Sequence, residues 1–227
     1  MELYERKDSS YPQKAVLITL EIIILGISYW ILFLNGYHRV FPSSTQVTGN
    51  NLRHIFIFIF NIVVFLRILF TIFFLLKRRI PWEETFSIPL AFALYYIGFA
   101  LFGFKSLSPI GATGYIAIGL FIIGSFLNTG SEITREKWKK RPENKGHLYT
   151  TGLFRYSMHI NYFGDLVWVS AYAMITANWY AVSIPVFLFC FFAFYNIPKL
   201  DAYLASKYGK EFDQYRAKTK KFIPFLY

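Results

Sequence analysis

Long apolar runs alternate along the chain with short, polar, cation-rich breaks. Six stretches approach the ~20 apolar residues that a helix needs to cross a bilayer: residues 15–35, 54–76, 86–104, 109–128, 162–177 and 179–197. The last two meet at Ala177-Asn178-Trp179, which predicts a helical hairpin with Asn178 and Trp179 near the water interface. The first run is too long for a cleaved leader, lacks a small-x-small exit and carries Glu21. Glu83 and Glu84, just after Pro81 and Trp82, are placed to stabilise a helix start or to pair with Lys77, Arg78 or Arg79. Beyond the last run the period changes. Leu200, Leu204, Tyr208, Phe212 and Tyr215 recur every three or four residues with charges between them, as in a helix docked on protein or on a lipid surface. Gly209 predicts a break in that helix and Pro224 its end. The expected fold is an all-α, polytopic integral membrane bundle of about six transmembrane helices with a C-terminal amphipathic helical tail. It is expected to form a single domain over 1–227: four spans in 1–128, then a polar loop of about 30 residues, two spans and the tail in 129–227.

Composition sharpens this picture. Of 227 residues, 55% are hydrophobic, 21% aromatic and 16% charged, with a mean hydropathy of +0.38; a soluble domain carries about 25% charged residues. That excludes a disordered chain and argues against a soluble globular enzyme. A single cysteine, Cys190, rules out an internal disulfide framework. Lysines and arginines, 24 against 13 acidic residues, are unevenly placed. Twenty lie before the first run (Arg6, Lys7, Lys14), between runs two and three, between runs four and five, or in the tail. Only Arg39, Arg53 and Lys105 fall on the opposite side, and Arg67 lies inside a run. The positive-inside rule then predicts an even number of spans with both termini cytoplasmic. Because the cations follow topology rather than one exposed face, nucleic acid is disfavoured as a partner.

The candidate chemistry is concentrated between runs four and five. Arg135, Lys137, Lys139, Lys140, Arg141, Lys145 and Arg155 are interleaved with Trp138, Tyr149, Phe154 and Tyr156, a pattern suited to a ligand with phosphates and flat rings. A basic inside loop also follows from topology alone. His159, Asn161, Tyr162 and Asp165 stand where the chain re-enters the membrane, costly unless they pair or face a water-filled cavity. On a helix, Asn161 and Asp165 share a face, as do Tyr162 and Asp165. Such a set suits a cofactor and a proton donor; a capped helix start accounts for one or two of its members. Glu21 and Arg67, inside runs, fit either a substrate site or a structural pair, and for Arg67 the structural reading is favoured. No metal site is expected from the spacing of His38, His54, His147 and His159, and neither a phosphate-binding glycine loop nor a nucleophile elbow is present.

At these residues the chain resembles the steroid 5-alpha-reductase-like membrane superfamily. The resemblance is carried by Leu148-Tyr-Thr-Thr-Gly-Leu-Phe-Arg-Tyr-Ser-Met-His-Ile-Asn-Tyr-Phe-Gly-Asp165, by Lys207-Tyr208-Gly209-Lys210-Glu211-Phe212 and by Phe222-Ile223-Pro224. A bacterial branch shares Gly130-Ser131-Glu132, Arg135 and Asn144-Lys145-Gly146, which implies a bacterial inner membrane. The superfamily includes sterol C14- and C7-reductases, similar here in His159-Ile-Asn161-Tyr162-Phe-Gly-Asp165, and isoprenylcysteine carboxyl methyltransferases, which show Arg-His-Pro-x-Tyr instead. The sterol-reductase NADPH element Asn-x-x-Lys-x-x-Phe-Arg aligns with Glu132, Arg135, Trp138 and Lys139, so a glutamate replaces the amide; Met158 replaces the arginine usual before the histidine. The resemblance implies NADPH-dependent reduction of a carbon–carbon double bond in a lipophilic, steroid- or isoprenoid-like substrate. Its implied cofactor residues are Arg135, Trp138, Lys139, Asn144, Lys145, Arg155, His159, Asn161, Tyr162, Asp165, Asp201, Tyr208 and Tyr215, with Tyr162 and Asp165 as candidate proton donors. The alternatives it leaves are an S-adenosylmethionine-dependent methyltransferase and a non-catalytic lipid-binding relative. A phosphorylated cofactor suits the cationic set better than a sulfonium does.

Overall fold

A computed structural model describes residues 10–45 and 47–227; Arg6 and Lys7, part of the charge asymmetry, lie outside them. The described chain is all-α. Its helices are α1 (Tyr11–Phe33), a short α2 (Gly36–Val40), α3 (Asn51–Phe70), α4 (Trp82–Gly103), α5 (Ala112–Lys139), α6 (Ile160–Thr176), α7 (Ser183–Phe191), α8 (Ile197–Tyr208) and α9 (Lys210–Lys218). Among the described residues, five continuous helical segments are long and apolar enough to cross a membrane: α1, α3 with its π turn to Leu75, α4, α5, and Trp179–Tyr208. α6 occupies the fifth expected run, but its 17 residues span about 26 Å, just under the hydrocarbon thickness of a bilayer.

Several local expectations have visible causes. Proline in the first turn of α1 supplies a preset φ where no hydrogen-bond donor is needed. Asn50 caps α3 by accepting from the Arg53 amide at 3.2 Å. Glu84 pairs with Arg78 at 2.7 Å at the start of α4. The hairpin before α7 forms as expected: Asn178 accepts from the Tyr180 amide at 3.0 Å and donates to the Phe102 carbonyl at 2.9 Å. Gly209, at φ 50°, ends α8 and α9 starts immediately after it. The polar block after run four differs from expectation, because its first ten residues continue α5 instead of forming loop. Hydropathy marks where the bilayer solvent ends; helical hydrogen bonding carries on, helped by a Glu132–Arg135 pair one turn apart.

The chain forms two compact units, one of the residues up to Ala117 with Tyr172–Ile184, the other of Ile118–Ala171 with Pro185–Tyr227. In the first, α1, α3 and α4 pack through Leu17, Ile31, Ile57, Val64, Phe99 and Ala100. Asn61 is matched within it: it donates to Ser28 Oγ at 2.7 Å and accepts from the Tyr172 hydroxyl at 2.9 Å. Arg53, expected as an exterior charge, is 2% exposed. Its guanidinium donates to the carbonyls of Ile175, Ser108 (2.7 Å) and Pro109 (3.3 Å), so it joins two chain segments instead of marking topology. Glu21 is fully buried beside Tyr96, and the charge of Arg67 reaches both Tyr96 and Tyr172.

The second unit holds the polar block. There the backbones of α5 and α6 meet at two glycines. A Cβ on Gly164 would stand 2.5 Å from the Asn128 nitrogen and 2.8 Å from the Gly124 carbonyl oxygen, so only glycine permits this approach. Phe121 packs edge-on against Trp168 beside the crossing. This contact sets the register between the two helices and thereby the groups that face each other one turn further on.

Candidate functional site

One turn beyond the glycine crossing, Asn128 Nδ2 donates to the Asn161 carbonyl at 3.3 Å, and Asn161 Nδ2 donates to Glu132 Oε1 at 2.9 Å. The other oxygen of Glu132 takes the Arg135 guanidinium, which also lies 5.4 Å from the centre of the Phe154 ring. Glu132 thus links α5 to the start of α6 and holds Arg135 in place. The positive charges of Arg135 and Lys207 both reach Lys139, and those of Lys207 and Arg135 reach Tyr208. Arg135, Lys139, Lys207 and Tyr208 therefore share one neighbourhood built from α5 and α8, in which Glu132 and Glu136 also reach Lys139 and Glu211 reaches Tyr208.

A second group is organised by His159. The residue is 1% exposed, and its Nε2 meets Asp201 Oδ1 at 2.8 Å. An ionised aspartate only accepts, so Nε2 carries the hydrogen. Lys221 Nζ stands 3.7 Å from the other Asp201 oxygen. The tail segment around Lys221 is also held by backbone: the amides of Met158 and His159 donate to the carbonyls of Lys220 (2.8 Å) and Lys221 (3.2 Å), and Ser157 Oγ donates to Phe222 O at 2.7 Å. His159 stacks on Tyr162 at 5.7 Å, and Tyr162 stacks on Phe192 at 4.6 Å. Phe192 opens a π turn, Phe192–Asn196, of the kind often found at functional positions. The Tyr162 ring is therefore held by two stacked neighbours.

Other predicted residues have more local tasks. Asp165 Oδ1 accepts from Trp168 Nε1 at 2.8 Å. Trp138 packs on Tyr149, and Asn144 Nδ2 donates to the Trp138 carbonyl at 2.8 Å, which folds back the end of α5. Tyr215 is buried and donates to the Phe154 carbonyl at 2.6 Å; desolvation pushes its phenol well above the ordinary tyrosine range, so it remains a donor. Lys145 is exposed, and Arg155 is exposed on the 3-10 turn Gly152–Arg155, where its guanidinium bonds to the Tyr156 hydroxyl. The structure thus gathers His159, Tyr162 and Asp201 in one place and Arg135, Lys139, Asn161 and Tyr208 in another neighbourhood, and leaves Lys145 and Arg155 at the surface.

Met158 sits 4% exposed against Phe212 and Tyr215. The thioether thus fills an apolar site at the position where the sequence resemblance implies an arginine. Sequence reasoning passed over Glu132 and Lys221 as ligand-site members. The carboxylate at 132 was a signal of the first, standing where an amide was expected; nothing local pointed to the second.

The sequence profile of DUF1295, described as a protein family of unknown function, matches residues 86–219. The chain belongs to the DUF1295 family. The matched region spans α5, α6, α7, α8 and α9, so it includes both groups of site residues. The curated proteins that this DUF1295 chain resembles include O-methyltransferases and a steroid dehydrogenase, which is consistent with the resemblance read from the sequence. The chain is 36% identical over 101 residues to a probable O-methyltransferase, ustE, of Ustilaginoidea virens (44% of this chain, 34% of that protein). It is 30% identical over 125 residues to the protein-S-isoprenylcysteine O-methyltransferase of Schizosaccharomyces pombe (53% and 51%). It is 32% identical over 108 residues to 3-oxo-5-alpha-steroid 4-dehydrogenase 2 of Rattus norvegicus (48% and 41%). The chain spans about a third to a half of the length of these relatives.

Proposed function

We propose that this protein is a membrane-embedded, NADPH-dependent reductase of a carbon–carbon double bond in a lipophilic substrate of steroid or isoprenoid type. The observation that carries the reading is the gathering of the cations Arg135, Lys139 and Lys207, with Glu132 pairing Arg135 and Glu136 also in reach of Lys139. The donor set fits the group: three cations suit a polyanionic dinucleotide, with Arg135 already oriented by Glu132 for a phosphate and Tyr208 beside them for a flat ring. A cationic sulfonium would gain nothing from that field. NADPH, when bound, supplies the hydride, which no side chain can provide. The chain's own part is to bind the phosphates through these cations, to hold the ring of Tyr162 by stacking on His159 and Phe192, and to present its phenol as the proton donor. Asp165 acts from the same helix face as an acceptor that its bond from Trp168 orients.

The cation-rich segments belong, on this reading, to the cytoplasmic side of a bacterial inner membrane, with both termini there, so that a soluble cofactor reaches them from the cytoplasm. The names of two relatives favour a second reading, an S-adenosylmethionine-dependent methyltransferase. Titration of the purified protein with each cofactor separates the two. Saturable NADPH binding that weakens with salt and with Arg135→Ala supports reduction; S-adenosylmethionine binding without an NADPH response overturns it.

A further inference from the structure

In the second unit, one face of α5 and the 3-10 turn Gly152–Arg155 enclose an open groove of about 640 Å³ lined by Phe126, Gly130, Ile133, Thr134, Leu153 and Arg155, among others. Its size is that of a small-molecule cleft, about 300–1,000 Å³. The walls are hydrocarbon even where the residues are polar. The Thr134 hydroxyl donates to its own helix at the Gly130 and Ser131 carbonyls (3.1 and 2.8 Å), and that of Thr129 to Asn128 Oδ1 (3.3 Å), leaving their methyls for the groove. At the rim, Arg155 carries an exposed guanidinium 4.6 Å from the Tyr156 ring and bonded to its hydroxyl. Both contacts are neutral, and among the described residues no carboxylate forms an ion pair with it.

The height of the groove on α5 identifies what would fill it. Phe126 belongs to the apolar run and Thr134 to the polar extension, so over about 12 Å of helix the groove crosses from hydrocarbon depth to headgroup depth. Tyr156 and Phe225, in ring contact at 5.7 Å, stand beside Arg155, and aromatic side chains are favoured at that level. An apolar channel ending at an uncompensated cation complements an amphiphile with a hydrocarbon chain and an anionic head. We infer that the groove binds one anionic phospholipid, with an acyl chain along Phe126, Ile133 and Leu153 and its phosphate on Arg155. The inference takes Arg155 out of the cofactor set that the resemblance implies and assigns it to lipid; Arg135 and Lys139, which carry the cofactor reading, do not line the groove.

The test is native mass spectrometry of the full chain in detergent, titrated with phosphatidylglycerol and with phosphatidylcholine of the same acyl chains. Wild type is expected to retain phosphatidylglycerol about fivefold more tightly, the share of one cation in attraction to anionic lipid. Arg155→Gln is expected to bring the two lipids level. Thr134→Trp, a change at an exposed position that fills the groove, is expected to weaken both. Arg141→Gln, which removes another exposed cation of this segment, is expected to keep the preference. Equal retention of the two lipids by wild type, a preference that survives Arg155→Gln, or its loss in Arg141→Gln each overturns the assignment.

Discussion

Replacement of Asp201 tests whether His159 is the hub of the second group. Its carboxylate receives the buried imidazole at 2.8 Å and faces Lys221 at 3.7 Å, while the His159 and Lys221 backbones are joined at 3.2 Å. Asp201→Ala removes the acceptor of a charged hydrogen bond, worth about 1.5–3 kcal/mol, and leaves an N–H buried without a partner. We expect a loss of about 2–3 kcal/mol. At about 2–4 °C per kcal/mol for a chain of this size, the apparent Tm falls by about 4–12 °C. Asp201→Asn keeps the volume and one acceptor and should cost about 1 kcal/mol. Lys221→Met removes a partner whose side chain is 38% exposed and should cost less than about 1 kcal/mol. Tryptophan-fluorescence melts of the three variants in one detergent give the order, and hydrogen exchange at 157–160 and 219–222 shows whether the tail segment is released with the imidazole. A melt of Asp201→Ala within 2 °C of wild type (roughly 1 kcal/mol or less), or of Lys221→Met as low as Asp201→Ala, would refute the network.

Gly164→Ala forces a Cβ to within 2.5 Å of the Asn128 nitrogen; because backbone cannot move aside as a side chain does, it should cost about 1–3 kcal/mol in the same melt, and an unchanged Tm would show that the helices cross elsewhere. Tyr215→Phe should cost about 1 kcal/mol by orphaning the Phe154 carbonyl, and no loss would mean that water serves that carbonyl equally well. Since burial raises the Tyr215 pKa, the stabilisation from its phenol is fully present below the unfolded tyrosine pKa of about 10 and is lost only as pH rises through the higher folded value. Denaturation midpoints of wild type and Tyr215→Phe should therefore differ by a constant amount from pH 6 to pH 9.5, and a gap that closes within that window counts against the buried donor. Arg135→Ala should weaken NADPH binding about tenfold or more and flatten its salt dependence; calorimetric titration at two salt concentrations measures both, and unaltered affinity removes Arg135 from the site.

Much of the architecture could be read locally because its causes are local. The apolar runs became α1, α3, α4, α5 and the Trp179–Tyr208 segment, since hydrocarbon forces the backbone to satisfy itself within one helix. Asn178, Gly209 and Glu84 did what their neighbours in sequence predict, for capping, a left-handed turn and a first-turn charge act over a few residues. The polar cluster of His159, Asn161, Tyr162 and Asp165 was visible for the same reason, as an expense at a membrane boundary that demanded partners.

The partners themselves were decided by tertiary structure. Asn161 meets Glu132 across 29 residues, His159 meets Asp201 across 42, and Arg53 reaches Ile175 across 122. No periodicity encodes such pairs. They follow from how closely two backbones pass, and at Gly124 and Gly164 that distance depends on two missing side chains. Residue types alone marked a polar demand where the fifth apolar run begins; the crossing of α5 and α6 decided that Glu132 would meet Asn161 there and hold Arg135 beside it, because contact geometry, unlike hydropathy, belongs to pairs of helices.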